Sequence, residues 1–113
     1  TIYLVKKLKK IGFDYVCVSS GGIVPKTNLV FKKGYNVKFA IKIKKETGIV
    51  TRVGGIINDF KYANSLIKQK KVDFIANARK FINDPNWLLK EYAKKKKNKK
   101  FILNQYKRCI SFD

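Results

Sequence analysis

The sequence predicts an α/β fold in which one helix precedes three βα units built on a parallel sheet. Short apolar runs at residues 14–19, 49–53 and 72–77 are each closed by a turn of small residues, as strands are. Segments with apolar residues every three or four positions lie before and between them, as helices do. Regular alternation of the two kinds implies parallel strands joined by crossovers.

Taken in order, Ile2, Leu4, Val5, Leu8 and Ile11 recur at helical spacing until Gly12, a residue suited to the left-handed conformation that ends a helix. The strand Asp14-Tyr15-Val16-Cys17-Val18 follows and breaks at Ser19-Ser20-Gly21-Gly22 into a loop reaching about Tyr35. A loop of that length in a compact domain argues for a functional role. Asn36 is read as the N-cap of a second helix carrying Val37, Ala40, Ile41 and Lys44, with Gly48 as its exit. The strand at 49–53 leads to a third helix, capped by Asn58 or Asp59, with Phe60, Ala63, Leu66 and Ile67 on one face. After the strand at 72–77, Asp84 before Pro85 has the form of an N-cap with proline at the first helical position, opening a last helix through Trp87, Leu88 and Tyr92. That helix runs into a basic stretch at 94–100, and an apolar tail occupies 101–113. Strands that read as continuous apolar runs are expected to be covered on both faces. Three strands cannot close a barrel, so standing alone the sheet would keep two unpaired edges and one wet face.

The 113 residues make one domain at most, and 45% apolar content is enough for a core. The sequence starts at Thr1 and contains no Met, and it is expected to be a piece of a longer product. A net charge of +20 ordinarily points to nucleic acid. Here arginine is confined to Arg52, Arg79 and Arg108, whereas base reading and bidentate phosphate recognition favour that residue over lysine. The charge is therefore read as solvated lysine surface, without a specific nucleic-acid partner. No apolar stretch approaches the roughly 20 residues needed to span a bilayer, and no signal-peptide block is present, so no membrane partner and a cytoplasmic setting are expected. Cys17 and Cys109 lack CxxC spacing and the chain has no His, which supports neither zinc nor a disulfide framework. Cys17, inside an apolar strand, is expected in the core.

The chemistry-bearing feature is a pair of strand-to-turn junctions, Val53 into Gly54-Gly55 and Asn77 into Ala78-Arg79. Two such turns on one face of a parallel sheet can aim main-chain N–H groups at a single anion, and (β/α)8 barrels build phosphate sites after their seventh and eighth strands. Arg79 supplies a cation. Gly54-Gly55 alone reads as an ordinary strand-ending turn, and Ser19-Ser20 reads as turn formers or as residues at the catalytic end of a strand.

Several separated segments resemble one family, the old yellow enzyme group of FMN-dependent NAD(P)H oxidoreductases of the bacterial NADPH dehydrogenase type. They are residues 14–22, Gly34-Tyr35-Asn36-Val37, Thr51-Arg52-Val53-Gly54-Gly55-Ile56-Ile57, residues 78–87, and Gln105-Tyr106-Lys107-Arg108. The resemblance covers nearly all of this chain but only the last third or so of a family member, the sixth to eighth strands of a (β/α)8 TIM barrel. It implies FMN as cofactor and NAD(P)H as electron donor. It also implies that Gly55, Ala78 and Arg79 contact the FMN phosphate; a glycine is usual where Ala78 stands, although a backbone N–H survives the change. Arg108 inherits a role in a neighbouring subunit's active site, with Tyr106 lining that pocket, and the implied partners are the missing barrel part or a second subunit, with homo-oligomer formation through the tail. Arg108 equally reads as one more basic residue, and Tyr106 as an anchor for the tail.

The family's substrate-binding histidines and proton-donating tyrosine come from earlier strands, and this chain has no histidine. No nucleophilic triad, metal site or paired catalytic carboxylates can be assembled, so no catalytic residue is assigned and the isolated chain is expected to be inactive. From another class comes an alternative, a basic module using 94–100 with Trp87, Tyr92 and Tyr106 against RNA or an anionic surface.

Overall fold

The computed structural model of the chain describes residues 1–21, 30–96 and 103–105. Two compact units divide the chain at Asn77, Thr1–Asn77 and Ala78–Asp113.

In the first unit α1 (Ile2–Lys10) leads to β1 (Tyr15–Val18), α2 (Val37–Thr47), β2 (Val50–Val53), α3 (Phe60–Lys68) and β3 (Phe74–Ile75). The strands form one parallel sheet in the order β1-β2-β3, with Tyr15 opposite Val50, Cys17 opposite Arg52 and Arg52 opposite Phe74. Helix ends follow local chemistry. At the end of α1, Gly12 takes φ +94° and the N–H groups of Gly12 and Phe13 bond to Lys9 O and Leu8 O. Gly48, at φ 60°, closes α2 through Lys44 O. The Asp59 carboxylate accepts from Tyr62 N–H at 2.7 Å and starts α3.

Because successive strands add in one direction, the crossover helices stack on one face of the sheet. Val37, Ala40, Val53, Ile57, Leu66 and Val72 form one buried cluster under α2 and α3. Val5, Ile43 and Ile49 form a second under α1, with Val16 and Val18 packed against it. Each fully buried aliphatic side chain of this kind stabilises by about 1.5–3 kcal/mol.

The opposite face carries exposed side chains among the described residues. Tyr15, Val50 and Phe74 are 48%, 40% and 56% exposed, and Arg52 lies among them. The strands are thus covered on one face, the wet face expected of three strands standing alone, and the expectation that Cys17 lies in the core is overturned, because residues 15 and 17 alternate away from the helices. Ile67 also proves partly exposed at the edge of the α3 face. The third strand is shorter than the apolar run at 72–77, since Val72 is drawn into the helix-covered core and Asp73 into a side-chain network.

In the second unit α4 (Ala78–Asn83) is a short helix that the periodicity did not signal, and α5 (Trp87–Lys96) follows Pro85. The helix opens two residues later than anticipated, so Pro85 is not its first residue and Asp84 not its N-cap; the Asp84 carboxylate instead supports the preceding turn, accepting from Asn86 N–H at 3.2 Å and from Lys90 Nζ at 3.0 Å. Trp87 is buried and meets the Phe81 ring edge-on, with centroids 5.7 Å apart. A ring packed in this way is withdrawn from base stacking.

Candidate functional site

The carboxyl ends of β1 and β2 carry the most organised polar cluster of the first unit. Val53 is the last residue of β2 and is fully buried, and the chain then turns through Gly54, Gly55 and Ile56. Gly54 N–H donates to Val18 O at 3.1 Å, keeping the turn in line with β1. Gly55 has φ +132°, a backbone conformation that L side chains rarely adopt. A Cβ at that position would lie 3.1 Å from the Tyr35 ring and 3.3 Å from Asn36 Nδ2. Ile56 follows at φ 52°, unusual for a β-branched residue and a mark of local strain.

Three side chains from the preceding loops brace this turn. Asn36 is 1% exposed, and its Nδ2 donates to Gly54 O at 3.0 Å while its Oδ1 accepts from Ser20 Oγ at 2.7 Å. The Tyr35 hydroxyl donates to Ser20 O at 2.7 Å. Gly34 N–H donates to Gly55 O at 2.8 Å. On the other flank Ala76 N–H reaches Val53 O at 2.8 Å, and Asn77 Nδ2 reaches Ile57 O at 2.9 Å. Asn36 occupies the N-cap position of α2 as expected, yet its side chain makes no capping bond, because both of its polar ends are committed to the strand termini.

Of the residues singled out from the sequence, Gly55 sits half-buried within this cluster, and Ser20 is one of its members. Ala78 and Arg79 are the first residues of α4 in the second unit, and both are exposed. Tyr106 and Arg108 lie outside the described residues, as does Cys109. The bracing roles of Tyr35 and Asn36 were not read from the sequence. The signal available for them was the Gly-Tyr-Asn run at the end of a long loop, opposite a Gly-Gly turn.

Electrostatically the acidic groups serve the scaffold. The Asp59 carboxyl is held below the ordinary range by the Tyr62 N–H and by Lys33, whose ammonium lies 3.3 Å away. Burial pushes the Asp73 carboxyl up, but the Lys44 ammonium at 2.7 Å together with the Thr51 N–H and hydroxyl outweighs it, and Asp73 too lies below its usual value. Among the described residues no cluster of three His, Cys, Asp or Glu side chains is arranged to hold a metal ion, and no helix is long and apolar enough to cross a membrane.

No protein-family model matches the chain. Curated proteins do. An NADPH dehydrogenase of Geobacillus sp. (strain WCH70) is 34% identical over 82 residues, 73% of this chain and 24% of that protein. An NADPH dehydrogenase of Bacillus pumilus is 38% identical over 78 residues, covering 69% of this chain and 23% of its own length. An NADH oxidase of Thermoanaerobacter brockii is 30% identical over 112 residues, 96% of this chain and 16% of that enzyme. The chain thus spans about a quarter of the length of the NADPH dehydrogenases it matches. With identities of 30–38% maintained across most of its residues, the chain is related to one segment of the NADPH dehydrogenases of the old yellow enzyme type.

Proposed function

We propose that the chain is the C-terminal portion of an FMN-dependent NAD(P)H oxidoreductase of the ene-reductase type, and that it supplies the phosphate-binding part of the flavin site. In this reading residues 1–113 are three βα units of a (β/α)8 barrel, and the exposed sheet face is the side that would line its interior. The names of the relatives, NADPH dehydrogenase and NADH oxidase, support the nicotinamide-linked oxidoreductase class.

The observation that carries the proposal is the Gly54-Gly55 turn at the carboxyl end of β2. In open and closed α/β sheets alike, ligands bind at that end of the strands. A phosphate dianion calls for N–H donors at close range and a cation. Gly55 offers a main-chain donor with no Cβ beside it, and the residues present fit that group. By the family resemblance Ala78 contributes a second N–H and Arg79 the charge. When bound, the flavin carries the redox step, passing hydride from NAD(P)H to the β-carbon of an activated alkene, usually an α,β-unsaturated carbonyl. The chain's own part is to anchor the phosphate and thereby set the depth and orientation of the cofactor. Arg108 and Tyr106 are assigned to a neighbouring subunit's pocket on the same resemblance, with the remaining barrel or a second subunit as the partner.

The test is phosphorus NMR of FMN mixed with the purified chain. Broadening or displacement of the FMN phosphate signal, diminished by Gly55→Val and by Arg79→Ala, is the expected result. A signal indifferent to the protein would refute the phosphate role. Steady NADPH oxidation by the isolated chain with added FMN would overturn its assignment as a non-catalytic part.

A further inference from the structure

We propose that Asn36 is a positioning residue for phosphate recognition: by holding the carbonyl of Gly54 it fixes the plane of the Gly54–Gly55 peptide and aims the Gly55 N–H at the anion. This rests on the flavin-phosphate reading above and specifies how the chain would achieve it.

The described residues contain no cis peptide bond, so the C=O of Gly54 and the N–H of Gly55 belong to one planar trans unit and point in opposite directions. The oxygen of that unit is tied to Asn36 Nδ2 at 3.0 Å. Its N–H is therefore turned away from Asn36, and it has no hydrogen-bond partner among the described residues. The next carbonyl, that of Gly55, is tied as well, by Gly34 N–H at 2.8 Å. With the carbonyls on both sides held, the intervening N–H is a donor without a partner among the described residues, in a turn restrained on both flanks. A glycine pair without such bracing samples many orientations, and a peptide flip would present a carbonyl oxygen in place of the N–H.

Asn36 is suited to this task in a way that similar residues are not. Its amide must donate at one end and accept at the other: the Gly54 carbonyl can only accept and so takes Nδ2, and the Ser20 hydroxyl donates to the remaining Oδ1 at 2.7 Å. Ser20 is held in turn by Tyr35, whose hydroxyl donates to the Ser20 carbonyl and whose ring stands against Gly55. Asn36 gives up the helix-capping bond its position offers in order to make these contacts. Aspartate is nearly isosteric and keeps an acceptor for Ser20, but it presents an oxygen to the Gly54 oxygen and cannot hold the peptide.

The experiment is amide NMR of the isotopically labelled full chain, following the Gly55 N–H during titration with FMN and, separately, with riboflavin, which lacks the phosphate. FMN should move this signal in the native chain and riboflavin should not. In Asn36→Asp the FMN response should weaken by about tenfold, the loss of one well-made hydrogen bond, while the response to riboflavin stays as it was. If FMN leaves Gly55 unmoved in the native chain, or riboflavin moves it equally, the phosphate reading fails and this proposal fails with it. If the native chain discriminates between the two flavins and Asn36→Asp discriminates equally well, the phosphate reading stands and the positioning role is overturned. Should Asn36→Asp lose its native amide dispersion, Asn36→Ala decides: it removes the bond to the Gly54 carbonyl without adding a charge, and discrimination retained in full would overturn the proposal, whereas a reduced FMN preference would support it.

Discussion

Asp73 holds both donors of Thr51, the backbone N–H at 2.9 Å and the hydroxyl at 3.3 Å, while its second oxygen accepts from Lys44 Nζ at 2.7 Å. One carboxylate thus ties the start of β3 to the fully buried Thr51 of β2 and to α2. Replacing Asp73 by Ala leaves the two Thr51 donors without this partner inside the unit, and such a loss costs about 1–3 kcal/mol. Thermal unfolding of Asp73→Ala should fall accordingly. Lys44→Ala should cost less, because its ammonium can reach water.

The same carboxylate gives the stability a defined pH dependence. Its folded value lies below the unfolded carboxylate value of about 3.9, so the contribution is complete above that pH and is lost as pH falls through the lower, folded value. The native chain should therefore lose this part of its stability in acid, and the difference between it and Asp73→Asn should shrink below a pH of about 3.9. Parallel acid-unfolding curves for the two proteins would show that Asp73 is not the group responsible.

Adjacent glycines should respond unequally to alanine. A Cβ at Gly54 would meet Ala76 and Ser19 at 3.7–3.8 Å, ordinary van der Waals contact, and Gly54→Ala should change stability by less than about 1 kcal/mol. At Gly55 the added carbon stands 3.1 Å from the Tyr35 ring on a backbone at φ +132°, so Gly55→Ala should cost about 1–3 kcal/mol. Paired melting curves read the contrast directly.

The fold was legible wherever a single local rule decided the outcome. Helical spacing located α1, α2 and α3, Gly12 and Gly48 ended two of them, and Asp59 began the third. Alternation of strands and helices implied the parallel sheet. What escaped depends on the partners of a residue across the chain. Cys17 and Val16 are neighbours in one apolar run, and only the position of the helices decides that Val16 is covered and Cys17 is not. Asn36 has the composition of a cap, and its diversion to Ser20 and Gly54 follows from loops 16 and 18 residues away in sequence. Helix α4 covers six residues, too few for periodicity to register. Gly55 stood out because its chemistry is backbone chemistry, which glycine advertises; the residues that orient it do not.

Helix α3 ends in a motif that calls for glycine and has lysine instead. Lys70 N–H bonds to Ile67 O and Lys71 N–H to Leu66 O, the paired bonds of a Schellman motif, with Lys70 at φ 53°. The left-handed conformation costs a non-glycine residue about 1 kcal/mol. Lys70→Gly should raise the unfolding midpoint, and Lys70→Val, β-branched, should lower it. Equal midpoints for all three proteins would mean that this turn is not strained in solution.

The exposed face of the sheet makes Cys17 a reporter on whatever covers it. In a Cys109→Ser background the Cys17 thiol of the folded chain should react with a disulfide reagent at a rate close to that of the unfolded chain, since it lies on the same face as the exposed Tyr15 and Arg52. If that face lines a barrel interior in the complete protein, addition of the missing barrel part should slow the reaction by orders of magnitude, because labelling would then require opening of the assembled core. Protection already present in the isolated chain at low concentration would mean that the face is covered by the chain's own residues. Protection that grows with concentration of the chain alone would mean that two copies pair through their sheets.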